Sequence, residues 1–161
     1  MSGDVTRPHP LMALVGTWAG TGRGIYPTIE SFDYLETITV TAPPKPFLVY
    51  QQTTRAPSDG RPLHTETGYL RLLEGTDDTE LTIAQPTGFV EVHTGTVSVA
   101  DGRTSVHLRS VFVARTPSAK QVDAVERRLL VENDLLTYEL HMAAMGQPMQ
   151  LHLAASLSRQ L

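Results

Sequence analysis

The chain has 161 residues, of which 40% are hydrophobic, with a formal net charge of -4 and no cysteine. This length fits one domain, and mixed charges without a basic stripe exclude nucleic acid as the main partner. The absence of cysteine excludes disulfides and cysteine metal sites. The start, Met1-Ser2-Gly3-Asp4, lacks a signal-peptide pattern, and no apolar run reaches the ~20 residues that a membrane helix needs. We therefore expect a soluble, cytoplasmic protein with no membrane partner.

In chain order, residues 1–9 are expected to form a flexible tail, and residues 10–161 to form a single domain. The segment from Pro10 to Val15 predicts one short helical turn, because proline suits the first helical position. Such a turn could close one end of a barrel.

The run from Gly16 to Gly24 has glycine at alternate positions around Trp18, the only tryptophan. Successive side chains of a strand point to opposite faces, so Gly16, Trp18, Gly20, Gly22 and Gly24 share one face. That face carries one large ring and otherwise no side chain. This pattern suits a sharply bending wall, or the close approach of a flat ligand or another backbone.

Period-two patterns predict nine further strands, and turn residues separate most of them. These strands cover residues 34–41, 47–55, 63–73, 80–85, 88–99, 104–114, 122–132, 135–143 and 149–158. A bulge is expected at Gly95, because the apolar positions change from even numbers up to Val92 to odd numbers from Val97 onward.

Many short strands without a long amphipathic helix predict an all-β fold. Closure into an antiparallel barrel of about ten strands protects every strand edge. A barrel of this size encloses more space than its own side chains fill. We therefore expect an internal cavity that holds a small apolar ligand.

Histidines are the main candidates for chemistry, since the sequence shows no metal-ligand spacing, nucleophile elbow or phosphate loop. His9 falls in the tail and is expected to be solvated. His93, His107 and His141 alternate with apolar neighbours and are expected to face outward. His64, beside threonine and glutamate, is expected to be structural. A bound cofactor is the most economical source of any activity.

The sixth histidine, His152, lies between two leucines in the last predicted strand. Its face continues with Ala154 and Ser156, which are small and leave room above the imidazole. Neutral imidazole is the common protein ligand of heme iron. An isolated histidine of this kind is more often a hydrogen-bonded core residue, so the pattern alone leaves both interpretations open.

Several separated motifs together resemble the nitrobindins, a family of heme-binding β-barrels described as peroxynitrite isomerases, and the resemblance implies a barrel related in architecture to the fatty-acid-binding proteins. The resemblance runs from about Leu14 to the C-terminus and is more specific than the glycine motif alone. Its motifs are Gly16-Thr17-Trp18-Ala19-Gly20-Thr21-Gly22, Tyr26-Pro27-Thr28, Phe32-Asp33-Tyr34-Leu35-Glu36, Pro62 to Arg71 and Gly146 to Leu153.

The resemblance, which is strongest to actinobacterial members, implies one ferric b-type heme per chain, with His152 as the axial ligand of the iron. It also implies that Thr28 and Lys120 contact the heme, and that the chain forms homodimers. Ferric iron is a Lewis acid. The family's activity would then be isomerisation of peroxynitrite to nitrate, with reversible binding of nitric oxide. The nearby Met142, Met145 and Met149 are expected to be flexible pocket filler rather than a second iron ligand.

Two alternatives remain open. A non-catalytic carrier of a fatty acid or another apolar molecule would need an inward basic side chain. The candidates are Arg71 and Arg109, both of which are expected to point to water. A heme-based nitric oxide sensor would bind the same cofactor but pass the signal to a partner protein.

Overall fold

Ten strands close into one antiparallel barrel in the computed structural model, which describes residues 7–161. Each strand pairs with its neighbours along the chain, and β1 pairs with β10 to complete the wall. This topology confirms the all-β barrel predicted from the sequence. The strands are β1 Gly16–Tyr26, β2 Ile29–Thr41, β3 Phe47–Arg55, β4 Pro62–Leu72, β5 Asp78–Gln85, β6 Phe89–Ala100, β7 Arg103–Arg115, β8 Val122–Glu132, β9 Leu135–Ala144 and β10 Gln150–Arg159.

A one-turn 3-10 helix at Pro10–Leu14 closes one end of the barrel, as the sequence predicts. The indole nitrogen of Trp18 donates a hydrogen bond of 2.9 Å to the Leu14 carbonyl, which fastens the turn to β1. The Arg159 guanidinium lies 4.2 Å from the centre of the Trp18 ring, a cation–π contact. A packed apolar cluster fills this end; it includes Leu11, Leu14, Trp18, Ile38, Val40, Leu48, Leu70, Leu81, Val97, Leu136 and Leu157.

The expectation that His9 is solvated is wrong. His9 is half-buried, and its Nδ1 accepts a hydrogen bond of 3.2 Å from the backbone N–H of Leu11. The free N–H groups at a helix start attract a side-chain acceptor of this kind. Residues 1–6 of the predicted tail lie outside the described residues.

The glycine face of β1 holds aromatic rings from β2. Gly22 pairs with Tyr34 and Gly24 pairs with Phe32, and each ring lies directly over the paired glycine. A Cβ atom at either glycine would collide with the ring. Glycine therefore makes room here for a neighbouring side chain, and cross-strand contact with an aromatic ring compensates for its lost packing.

The expected bulge at Gly95 and the outward orientation of His93 are both wrong. The register between β6 and β7 shifts after Val92, where β7 contributes the extra residue Val111. The odd positions of β6 from Glu91 to Val97 face inward, so the His93 side chain is fully buried. The apolar residues Val90 and Val92 occupy the outer face, and their pattern misled the prediction because apolar residues are also common on protein surfaces.

His107 and His141 lie on the outer wall, as predicted. Their chain neighbours Val106, Leu108, Leu140 and Met142 line the cavity. Within residues 7–161, no helix is long and apolar enough to cross a membrane.

Replacing Gly22 with alanine should destabilise the barrel by about 1–3 kcal/mol, because the added methyl group displaces the Tyr34 ring from a packed position. Denaturant unfolding measures this loss. Thr21→Ala, at the exposed neighbour on the same strand, is the control and should change stability by less than about 0.5 kcal/mol. Equal stability of Gly22→Ala and wild type would contradict the packing described for Tyr34.

Candidate functional site

A cavity of about 1010 Å³ occupies the barrel interior and opens at the end opposite the 3-10 turn. Its volume is at the upper end of the ~300–1,000 Å³ range of small-molecule pockets. This finding confirms the predicted internal cavity. Near the open end the lining is mainly apolar and includes Ile29, Phe32, Leu63, Leu140, Met142 and Leu153.

His152 lies at the rim of this cavity because β10 bulges there. The register between β10 and β9 shifts between Leu151 and Leu153, so that His152 and Leu153 both line the cavity. The expectation that His152 shares its face with Ala154 and Ser156 is therefore wrong. Beyond the bulge, Ser156 is exposed and the buried Leu157 points into the barrel.

The hydrogen bonding of His152 selects one tautomer. Its Nδ1 lies 2.9 Å from the carbonyl oxygen of Ile25 on β1, and a carbonyl can only accept, so Nδ1 carries the proton. The edge of the ring meets Tyr26, with ring centres 5.3 Å apart. Tyr26 is in turn anchored, since its hydroxyl accepts a hydrogen bond of 2.9 Å from the Ala144 N–H.

The electrostatics favour a neutral His152. Burial lowers the pKa of its imidazole, and a positive charge on His64 lowers it further, against the opposing effect of the Ile25 carbonyl. A neutral imidazole with its proton on Nδ1 has its lone pair on Nε2. That is the donor atom that a metal ion or heme iron requires.

The other two predicted heme contacts line the same cavity as His152. Thr28, in the turn between β1 and β2, and Lys120, in the loop between β7 and β8, both line the cavity and are exposed. Met142 and Met145 also line the cavity, whereas Met149 is exposed and is absent from the lining. The glycines of the Gly16–Gly22 motif and Trp18 are likewise absent from the lining and belong to the wall and closed end.

His64 lines the cavity from β4, on the wall across from β10. Its Nε2 lies 3.6 Å from Oε2 of the buried Glu66 on the same strand. The sequence predicts a structural role for His64, and this contact with Glu66 fits such a role. Because His64 lines the cavity, its imidazole can also contact a ligand bound there.

A belt of buried polar groups at mid-height of the barrel is absent from the sequence prediction. We call it the polar belt; it consists of Glu36, Tyr50, Gln52, Glu66, Gln85, Glu91, His93, Arg127 and Tyr138. Along β2, the belt residue Glu36 lies between Tyr34 on the open side and Ile38 on the closed side. The sequence predicted a cavity for a small apolar ligand, but the polar belt shows that the cavity is not uniformly apolar.

Arg127 is the cationic centre of the polar belt. Its guanidinium donates to both oxygens of Glu66, at 2.8 and 3.2 Å, and to Oε2 of Glu91 at 2.8 Å. The Tyr50 hydroxyl donates to Oε1 of Glu66 at 2.9 Å. Burial alone raises the pKa of Glu66, but the Arg127 charge and hydrogen bonds reverse this effect and hold it well below its usual range.

Glu36 lies in a different electrostatic environment. Its Oε2 accepts hydrogen bonds from Gln52 and from the Tyr138 hydroxyl, and no group within residues 7–161 is bonded to Oε1. Burial raises the pKa of Glu36 to about 7, against the lowering effects of its two hydrogen-bond donors. The neighbouring Glu66 carboxylate also raises it, and Arg127 lowers it.

Arg71 and Arg109, the candidates for gripping a carboxylate ligand, lie on the outer wall. Their side chains are 60% and 69% exposed and contact Glu80 and Glu126 respectively. The expectation that both point to water is confirmed. The arginine that points inward is Arg127, and its terminal nitrogens already donate hydrogen bonds to Glu66 and Glu91.

The residues that line this site are chemically suited to binding a heme. The rim offers an imidazole nitrogen without a bonding partner in the described structure, held in the correct tautomer. The upper cavity offers apolar walls, and exposed Lys120 offers a positive charge at the edge, where an acidic group of a ligand would emerge into water.

Comparison with known proteins agrees with this geometry. Residues 8–159 match the family model described as the THAP4-like, heme-binding beta-barrel domain. The chain is 47% identical to "Peroxynitrite isomerase 1" of Mycolicibacterium paratuberculosis, over 94% of this chain and 96% of that protein. It is 47% identical to "Peroxynitrite isomerase" of Nocardia farcinica, over 94% of this chain and 92% of that protein.

A solved structure gives the same result. The crystal structure of Rv2717c from M. tuberculosis matches with a TM-score of 0.90 and 44% identity, over 96% of this chain and 99% of that one. Fold and site together define a heme-binding β-barrel. The chain belongs to the nitrobindin family, as the motifs around Trp18, His64 and His152 predict.

Replacing Glu36 with glutamine should remove a pH-dependent cost to stability. Below the pKa of about 4.5 expected in the unfolded chain, Glu36 is protonated in both states. As pH rises from about 4.5 to about 7, the unfolded chain releases this proton while the folded chain keeps it, so wild-type stability should fall relative to the variant by roughly 3 kcal/mol and then level off.

Urea unfolding of both proteins across this pH range measures the difference. Glu30→Gln, at an exposed position of the same strand, is the matched control and should follow wild type. Stability curves of Glu36→Gln and wild type that stay parallel from pH 4 to 8 would show that Glu36 titrates normally.

Proposed function

We propose that this chain binds one ferric b-type heme through Nε2 of His152 and isomerises peroxynitrite to nitrate. The free Nε2 lone pair at the rim of a large cavity is the observation that carries this proposal. The names of the relatives support the substrate, and membership of a heme-binding family supports the cofactor.

The chain's own residues bind and orient the cofactor in this proposal. The Ile25 carbonyl fixes the His152 tautomer and ring direction, and the hydrogen bond increases the basicity of the ligating nitrogen. Thr28 would offer its hydroxyl to the heme or to a bound ligand. Lys120 would pair with a propionate as a flexible point charge.

Bound there, ferric heme would supply a Lewis acid that weakens the O–O bond of the peroxynitrite anion and gives the nitrate isomer. The protein contributes confinement. The apolar walls formed by Phe32, Leu140 and Leu153 would limit the access of bulk water to a group bound there. Reversible binding of nitric oxide at the same centre is part of this proposal.

Two expectations from the sequence remain predictions. One is the cytoplasmic location, and the other is the homodimer implied by the family resemblance. The nitric oxide sensor also remains an alternative, and peroxynitrite turnover by the heme-loaded chain distinguishes it from the proposed isomerase.

Replacing His152 with alanine should weaken hemin binding by more than about tenfold, because the axial nitrogen is lost. Hemin titration followed by the Soret band measures this change, and the position of the band should also shift. His107→Ala, on the outer wall, is the control and should bind hemin like wild type. Circular dichroism establishes that both variants keep the barrel. An unchanged Soret band in folded His152→Ala would refute the assignment.

A further inference from the structure

His152 lies at a break in the strand pairing of β10. It is the bulge residue between Leu151 and Leu153, and it has no paired residue on β9. On the other side of β10, the paired positions of β1 and β10 end at Gly24 with Leu153. A bulge disrupts the ladder locally, so the orientation of this imidazole depends on side-chain contacts.

Two contacts that orient the His152 ring come from adjacent residues of β1. The Ile25 carbonyl accepts the Nδ1 proton at 2.9 Å. The ring of Tyr26 meets the imidazole with 5.3 Å between ring centres and an interplanar angle of 72°, an edge-to-face arrangement that aromatic rings favour. The direction of Nε2 therefore depends on where the end of β1 is held.

The Tyr26 hydroxyl ties the end of β1 to β9. In the barrel wall β10 lies between these two strands, yet Tyr26 connects them directly. Its hydroxyl accepts the Ala144 N–H at 2.9 Å, and its single proton is shared between the carbonyls of Met142 and Ala144, at 3.1 and 3.2 Å. The paired positions of β9 and β10 end at Met142 with Gln150, so Ala144 lies beyond that ladder. The tyrosine therefore links the strands on either side of the break in β10.

Burial holds Tyr26 in this position. Its side chain is only 7% exposed and forms part of the cavity wall. A buried hydroxyl that loses its partners costs free energy, so the ring keeps the position in which these hydrogen bonds form. Since Ile25 directly precedes Tyr26, one anchor holds both the carbonyl and the ring that contact His152.

We propose that Tyr26 is a positioning residue for His152. It acts through the Ile25 carbonyl and through its own ring, and it keeps the His152 proton on Nδ1 and the Nε2 lone pair in one direction. The consequence for iron binding rests on the proposed function, whereas the consequence for the tautomer of His152 does not.

Nitrogen-15 NMR of the histidine rings in the full chain without added hemin tests the tautomer, at about pH 8, where an ordinary imidazole is neutral. Wild-type His152 should carry its proton on Nδ1. Tyr26→Phe keeps the ring but removes the hydroxyl, and it should lower the ratio of this tautomer to the other by about fivefold, the effect of one lost hydrogen bond. Tyr26→Leu also removes the ring edge and should lower the ratio further.

Tyr34→Phe is the matched control. It also removes the hydroxyl of a buried tyrosine in the cavity wall, one that is bonded to Tyr138 at 2.8 Å. This variant should keep the wild-type tautomer ratio of His152, and circular dichroism establishes that all variants keep the barrel. A wild-type ratio in Tyr26→Phe, or an equal change in Tyr34→Phe, would overturn the proposal.

Hemin release separates this proposal from the proposed function. The heme-loaded Tyr26→Phe chain should transfer hemin to an excess of a heme-free acceptor protein about fivefold faster than wild type, because the ligating nitrogen is less well oriented. A changed tautomer ratio together with an unchanged release rate would support the positioning of His152 by Tyr26 and contradict His152 as the iron ligand.

Discussion

Pairing between the first and last strands holds both the fold and the site together. β1 and β10 join over seven paired positions, from Trp18 with Arg159 to Gly24 with Leu153. Just beyond this pairing, the Ile25 carbonyl of β1 accepts the Nδ1 proton of His152 on β10. The same contact that finishes the barrel therefore fixes the tautomer of the candidate iron ligand. An open sheet would leave this imidazole free to rotate and to bond through either nitrogen.

The barrel interior contains an apolar region at the opening and a cluster of buried charged groups at mid-height. Around the opening, apolar walls suit a flat, weakly hydrated ligand. At mid-height, Arg127 is buried between Glu66 and Glu91, and Glu36 keeps its proton up to about neutral pH. Buried ion pairs of this kind contribute little net stability, since desolvation offsets most of the Coulomb attraction.

The sequence predicted the fold well because strand patterns and turn residues are local signals. It predicted the family and the placement of His152, Thr28 and Lys120 around one opening through several motifs in the right order. It failed at His93 because the apolar residues Val90 and Val92 occupy the outer face of β6. It failed at the face of His152 because an extra residue in β10 changes which residues point inward, and nothing local in the chain marks that bulge.

The polar belt escaped prediction for a different reason. Charged residues in strands usually face water, so Glu66, Glu91 and Arg127 are naturally assigned to the outer wall. A usable signal did exist at Arg127, which alternates with Val125, Leu129 and Val131 on one face of β8. Its carboxylate partners, however, come from β4 and β6, and no pattern within one strand pairs residues across the barrel.

The most direct test of this account is the iron–histidine stretching band in the resonance Raman spectrum of the reduced, heme-loaded chain. The account predicts a band that shifts when histidine is labelled with nitrogen-15. In His152→Gly the band should disappear and return when free imidazole is added. A band that is insensitive to the label, or one that persists in His152→Gly without imidazole, would show that another residue binds the iron.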